Sequence, residues 1–294
     1  MLWTGRRPRE GCDVAPNRTR FARRAVAAVA AVGGALALSG CSQATLEQWT
    51  RWGLPEAATD RAPFIGNLWN GAWIASMVIG VLVWGLIGYA IIRFRRRSHD
   101  EAPKQTQYHL PMEILYTLVP FLIIGVLFFF TVQAQNGVLA KAADGDVHEI
   151  DVIGQKWSWT FNYREADNPA IGSDAHTVGT IETIPTLYLP LNKPVRFNLE
   201  SADVIHSFWV PDFYFKLDVI PGHPNSFDVT PTKEGEFLGK CAELCGTYHA
   251  QMVFHVKVLP EAEYEAQIKQ LAASGQTGDL VAPSFPSTGP KKEG

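Results

Sequence analysis

The sequence predicts a membrane-anchored all-β protein: a two-helix transmembrane hairpin followed by a β-sandwich. Two observations carry this. Residues 63–92 contain no charged side chain and end on Arg93-Phe94-Arg95-Arg96-Arg97, and a second apolar run covers 114–132. Crossing a bilayer takes about 20 such residues. From Val147 onward the pattern changes to short stretches of period-two alternation punctuated by proline. Many short strands at that spacing build a sandwich or barrel, here of ~115 residues.

Residues 1–40 read as an export signal to be cleaved. A basic region (Arg18, Arg20, Arg23, Arg24) precedes fourteen apolar or small residues, Ala25 to Leu38. Fourteen is too short to span a bilayer. Leu38-Ser39-Gly40-Cys41 resembles a bacterial lipoprotein box, which implies cleavage before Cys41 and a diacylglyceryl group on its thiol. Residues 41–62 are a polar, Trp-containing extracytoplasmic connector.

The hairpin spans 63–140. Trp69 and Trp73 stand near the outer end of its first helix, where amphipathic rings prefer the membrane interface. The Arg93–Arg97 cluster is a stop-transfer signal, so loop 93–109 is expected to be cytoplasmic. Pro120 inside the second span is tolerated because neighbouring helices satisfy the freed carbonyl. This topology places Cys41 and everything after residue 140 outside the cytoplasm, in a bacterial cell membrane. Glu113 stands at the start of the second span. It reads either as a solvated interfacial acid or as a proton-uptake group, since ionisable residues at membrane depth tend to be functional.

In the sandwich, residues 145–260, His148–Gly154 and Trp157–Tyr163 alternate cleanly, the latter with its aromatics on one face. Further strands are expected at Thr186–Leu189, Val195–Glu200, Ser207–Val210, Asn225–Thr230, Glu236–Cys241 and Met252–Leu259. Residues 164–180 are polar and Gly/Asp-rich and read as a surface loop. Residues 261–294 read as a short helix, Glu261–Ala273, and a disordered Gly/Pro/Ser-rich tail.

The net charge of -3 conceals an asymmetry. Residues 1–40 and 93–109 hold twelve basic groups against four acids, leaving 14 Lys plus Arg against 25 Asp plus Glu elsewhere. An acidic exterior argues against nucleic acid and favours a basic partner steered by charge.

Cys241, Cys245, His249 and Met252 fall within twelve residues. Thiolate, imidazole and thioether suit copper, zinc or iron–sulfur centres. His206, between two strand-like segments, is the best further donor. A thioether tilts the choice from structural zinc, which favours Cys and His, toward copper. Two thiolates depart from the mononuclear His₂Cys-plus-Met pattern and can instead bridge two ions. Against this stand a Cys241–Cys245 disulfide, hydrogen-bonded core histidines and a Met252 that merely packs.

Cys241-Ala242-Glu243-Leu244-Cys245-Gly246-Thr247-Tyr248-His249-Ala250-Gln251-Met252 resembles the binuclear copper A motif of cytochrome c oxidase subunit II. Ser201–Phe208 resembles that family's upstream ligand segment, Gly154-Gln155-Lys156-Trp157-Ser158-Trp159 its aromatic segment, and Met112-Glu113-Ile114 through Pro120 the start of its second span. The resemblance covers about residues 60–260. It implies a cupredoxin-like Greek-key sandwich after the hairpin, in subunit II of an aa3-type oxidase that reduces oxygen to water with proton pumping. It further implies that Cys241 and Cys245 bridge two copper ions. His206 and Met252 would complete one copper, His249 and the Glu243 carbonyl the other. The Glu243 side chain would reach a magnesium ion shared with subunit I, Trp157 would admit the electron, and Asp203 would join the docking patch or support a ligand. Glu113 would mark the mouth of a proton channel. The implied partners are subunit I, which holds the haems, other oxidase subunits, membrane lipid, and cytochrome c or a tethered cytochrome c domain. The lipoprotein leader and the 164–180 insertion depart from the common pattern and suggest a Gram-positive, actinobacterial-like setting.

Three rival functions share parts of this pattern. A quinol oxidase subunit II has the hairpin and sandwich without the copper ligands, and all six ligand positions are filled here. A copper-delivery lipoprotein would need an exchangeable site and no two-span hairpin. A zinc domain built from His206, Cys241, Cys245 and His249 would leave Met252 without a role.

Overall fold

The computed structural model describes residues 43–96, 105–143 and 147–280, with three isolated positions at 27, 28 and 31. Apart from those three positions, the predicted signal peptide with Cys41, most of the loop between the spans (97–104) and the end of the tail (281–294) lie outside the described residues.

A short helix, α1 (Gln43–Thr50), ends where the second of two compact units, beginning at Arg51, starts. Two long helices follow, α2 (Ala62–Arg93) and α3 (Leu110–Val138). Each carries Pro in its first turn, where a fixed φ is pre-organised and the missing N–H costs nothing. The α3 start is closed reciprocally: His109 Nδ1 accepts from the Met112 amide, and Glu113 Oε1 accepts from the His109 amide. The helix thus begins four residues before the apolar run and takes Glu113 into its first turn. The most apolar stretch of each helix is wholly unburied within the chain, as membrane-spanning surfaces are.

The sandwich has ten strands: β1 (His148–Gln155), β2 (Ser158–Arg164), β3 (Ala175–Val178), β4 (Thr186–Pro190), β5 (Val195–Ser201), β6 (His206–Val210), β7 (Phe215–Val219), β8 (Asn225–Val229), β9 (Gly235–Cys241) and β10 (Val253–Leu259). They form two five-stranded sheets, ordered β3-β2-β1-β5-β8 and β4-β10-β9-β6-β7. β1 runs parallel to β5 and β10 to β4; the other pairs are antiparallel. The period-two residues of β2, Trp159, Phe161 and Tyr163, turn inward, and the first two meet Phe208 and Phe254 of the opposite sheet. Such ring pairs add roughly 0.5–1.5 kcal/mol each beyond area burial. A final helix, α4 (Glu261–Ala273), buries Tyr264, Ile268 and Leu271, one face at helical spacing.

Among the described residues, hydrogen bonds fasten hairpin to sandwich both before α2 and after α3. Before α2, residues 58–60 pair with the segment after β8: Thr59 bridges Pro231, Asp60 N–H donates to Thr230 O, and Thr232 N–H donates to Ala58 O. Ala58 N–H donates to Asp212 O, and its side chain is part of the sandwich core. After α3, the buried Asp228 carboxylate accepts from the Ala142 amide at 2.8 Å and from Arg196 at 3.0 and 3.1 Å, with Lys141 at 3.4 Å. Arg61 also donates to Gly137 O at 2.9 Å, tying the outer ends of the two helices.

Three features differ from the sequence reading. The 164–180 insertion contains an edge strand, β3. β7 appears after a reversal at Pro211–Tyr214 in which Tyr214 takes φ +58°. The tail expected to be disordered from Ser274 is held as far as residue 280: Thr277 bridges Ala175, and Leu280 exchanges two hydrogen bonds with Asn162.

Candidate metal centre

The strand register assembles the donors. Phe208 of β6 pairs with Cys241 of β9, so His206, at the start of β6, lies beside the end of β9. The loop 242–252 then turns back into β10, and the Cys241 amide donates to Met252 O at 2.9 Å, closing it. Ala242 N–H donates to Ser207 O, which fastens the loop to β6. Gly246 permits the turn with φ +126°; a Cβ there would also lie 3.0 Å from Trp157 Nε1.

Five predicted donors converge. Cys241 Sγ stands 3.9 Å from Cys245 Sγ and 3.9 Å from His206 Nδ1. Cys245 Sγ is 3.6 Å from His249 Nδ1 and 3.7 Å from Met252 Sδ. The Glu243 carbonyl oxygen lies 3.2 Å from Cys241 Sγ, and Glu243 is exposed. His206, Cys241, Cys245 and Met252 are buried.

Both cysteines are free thiols. Their 3.9 Å separation is far beyond the ~2.05 Å of a disulfide. Two sulfurs sharing one ion at about 2.3 Å each can stand at most about 4.6 Å apart, so the pair fits thiolates bridging a metal. Burial raises a thiol's pKa, yet the His206 ring and backbone groups of Glu243 and Ser207 outweigh it and bring Cys241 down to about 7. Burial and the adjacent Cys241 push Cys245 up to about 12. Beside the His206 ring, the pair gives up one proton readily. The second leaves only against that negative charge, a cost that a bound cation cancels.

Asp203 sits behind His206. Its Oδ1 is 2.8 Å from His206 Nε2 and accepts from the Val204 amide; its Oδ2 accepts from the Lys156 amide at 2.7 Å. Burial raises its pKa, but these partners outweigh that and hold it below the usual value. For His206, burial lowers the pKa while Cys241 and Asp203 raise it, with a net rise. A carboxylate on the far nitrogen of a ligand imidazole fixes its orientation and leaves Nδ1 toward the sulfurs.

Trp157 is half-buried at the rim; its indole N–H donates to Cys245 O at 3.3 Å and its ring meets Tyr248 edge-on at 5.1 Å. Glu113 lies apart from this cluster, in the opening turn of α3, whose other end leads toward the sandwich. That helix, 29 residues, is about 43 Å long. Sequence reasoning missed Gly154 and Trp159, both against His206, although the alternation of β2 already pointed Trp159 inward.

A membrane-anchored cupredoxin-like sandwich with a buried, soft-metal donor cluster is the class these features define. The sequence matches the periplasmic domain of cytochrome c oxidase subunit II over residues 148–259 and its transmembrane domain over 47–133. The probable cytochrome c oxidase subunit 2 of Streptomyces avermitilis is 43% identical over 92% of this chain and 94% of its own length. Cytochrome c oxidase subunit 2 of Corynebacterium glutamicum is 38% identical over 79% and 81%. The solved periplasmic domain of subunit II of cytochrome oxidase from Bradyrhizobium japonicum is 27% identical, covering 46% of this chain and 98% of that one with a TM-score of 0.39.

The chain belongs to the cytochrome c oxidase subunit II family. Its part is that of subunit II in an oxidoreductase complex, and membership implies copper A binding.

Proposed function

We propose that this chain receives electrons from a cytochrome c at a two-copper centre on its extracytoplasmic sandwich and delivers them to subunit I. The observation that carries the reading is the buried, free Cys241–Cys245 pair, 3.9 Å apart and flanked by His206, His249 and Met252. Cys241 and Cys245 would hold both ions, His206 and Met252 completing one, His249 and the Glu243 carbonyl the other. Bound there, the copper pair supplies a one-electron couple between the donor and the haem of subunit I, where oxygen is reduced.

The chain's own residues do the rest. Cys241 and Cys245 give up their protons to bind metal. Asp203 orients the His206 ring. Burial of the sulfurs keeps water from them. Trp157, at the rim and bonded to Cys245 O, is the point at which the donor's electron enters. The exposed Glu243 side chain, next to its ligating carbonyl, would reach a magnesium ion shared with subunit I. The acidic balance outside the leader and loop supports a basic cytochrome donor. Glu113 would take up protons at the cytoplasmic side, a placement supported by the Arg93–Arg97 cluster. Cys41, in its lipoprotein box, would carry a lipid.

The test is metal content and visible absorption of the purified chain loaded with copper. Two coppers per chain and a purple thiolate–copper absorption are expected. A colourless zinc form or a single copper would overturn the reading.

A further inference from the structure

The β3-β2-β1-β5-β8 sheet provides none of the proposed metal ligands, yet one cross-strand pair of it forms their seat. Gly154 of β1 stands directly opposite Trp159 of β2, so both point inward on the same face. The space above Gly154 holds the His206 ring: a Cβ on Gly154 would lie 3.0 Å from His206 Cδ2 and 3.2 Å from Cγ. Trp159 forms the adjoining wall, its ring centroid 6.1 Å from that of His206, and it is fully buried. The same indole N–H donates to Met252 O at 3.4 Å. That carbonyl also accepts from the Cys241 amide at 2.9 Å. One side chain therefore packs on His206 and bonds the backbone of Met252, and shares its acceptor with Cys241.

We infer that Trp159, seated against Gly154, is a positioning residue that fixes His206 and Met252 relative to each other and so sets the redox poise of the copper they complete. The inference rests on the ligand assignment proposed above. A metal held by a weak thioether and an imidazole responds to small displacements of either, because the outer shell orients the ligands and tunes the metal. Phe161, two residues along β2 on the same inward face, is equally buried and meets Phe254 at 5.3 Å, but bonds none of the donors. It separates a general packing role from a positioning one.

The experiment uses the full chain assembled in its oxidase, with three variants. Trp159→Phe keeps a ring against His206 and removes the N–H to Met252 O. Gly154→Ala presses on the ring while leaving Trp159 intact. Phe161→Leu loosens the core alone. The readouts are copper content, the hyperfine pattern of the copper signal in electron paramagnetic resonance, and the redox equilibrium with a fixed reference couple. Trp159→Phe is expected to keep both coppers, alter the hyperfine pattern and shift that equilibrium about threefold, ~28 mV for a one-electron couple. Gly154→Ala should alter the histidine-linked part of the signal. Phe161→Leu should lower the melting temperature and leave signal and equilibrium unchanged. If the unaltered oxidase lacks two coppers in this chain, the ligand assignment fails. If it holds them and Trp159→Phe reproduces its equilibrium and signal, or Phe161→Leu shifts them as far, the positioning role fails.

Discussion

Replacing Asp203 by Asn tests the support of the candidate metal centre with little change of volume. The carboxylate accepts three bonds: His206 Nε2 and the Val204 amide on Oδ1, at 2.8 and 2.6 Å, and the Lys156 amide on Oδ2 at 2.7 Å. Asn has one acceptor oxygen. Whichever way it turns, its NH₂ faces at least one of these donors, and the bonds that survive lose their charge assistance. A hydrogen bond to a charged group is worth about 1.5–3 kcal/mol and a neutral one about 0.5–1.5, so each weakened bond costs about 1 kcal/mol. The side chain is 26% exposed, which lets water recover part of the loss. A net cost of about 2 kcal/mol remains, roughly thirtyfold in copper affinity, inside the 10–100-fold range for groups that orient metal ligands. The assay is chelator competition followed by loss of the visible copper absorption. An Asp203→Asn protein that retains copper within about twofold of the parent would refute the reasoning and make Asp203 a surface group.

Four further outcomes follow from the geometry. Asp228→Ala strips a buried carboxylate from Arg196, Lys141 and the Ala142 amide. Breaking such a pair costs about 3–5 kcal/mol, so the thermal midpoint should fall by about 10 °C or more, read by tryptophan fluorescence. Glu165 is buried with His148 at 2.6 Å and Tyr264 at 2.8 Å; burial raises its pKa, but its partners outweigh that and leave it below 4.5. Its contribution to stability is therefore full above about pH 4.5 and lost as pH falls through its folded value; a midpoint scanned from pH 6 to 3 should drop there, and Glu165→Gln should flatten that drop. Met252→Leu should shift the copper potential by redox titration more than it lowers copper content. Trp157→Phe should slow reduction by cytochrome c in stopped flow while leaving the copper spectrum unaltered; a changed spectrum would count against its assigned role.

Much of this was legible in the sequence because it rests on local pattern. The spans follow from charge-free length, and β1, β2 and β10 from alternation with one face on the core. What escaped depends on partners distant in the chain. β3 is four residues, Ala175-His176-Thr177-Val178, in a polar insertion, and becomes a strand only by pairing with β2. β7 follows a reversal made by Tyr214 at positive φ, with no Gly or Asn there to announce it. Residues 276–280 look like a loose tail until Asn162, Asp174 and Ala175 offer partners. At the site, donor types and spacing were readable, whereas the seat of His206 was not. Gly154 is informative only for the side chain it lacks, and that becomes visible once β6 faces β1.

The double fastening of hairpin to sandwich also bears on distance. Nine residues, 139–147, separate α3 from β1. As a flexible tether they would let the sandwich wander by ~15–18 Å relative to the helix end. Electron exchange falls off exponentially over far smaller excursions. With residues 58–60 paired to the segment after β8 and Ala142 held by Asp228, the sandwich is tied to the chain on both sides of the hairpin. The spacing between the donor cluster and the near ends of the two helices is then set by hydrogen bonds within this chain.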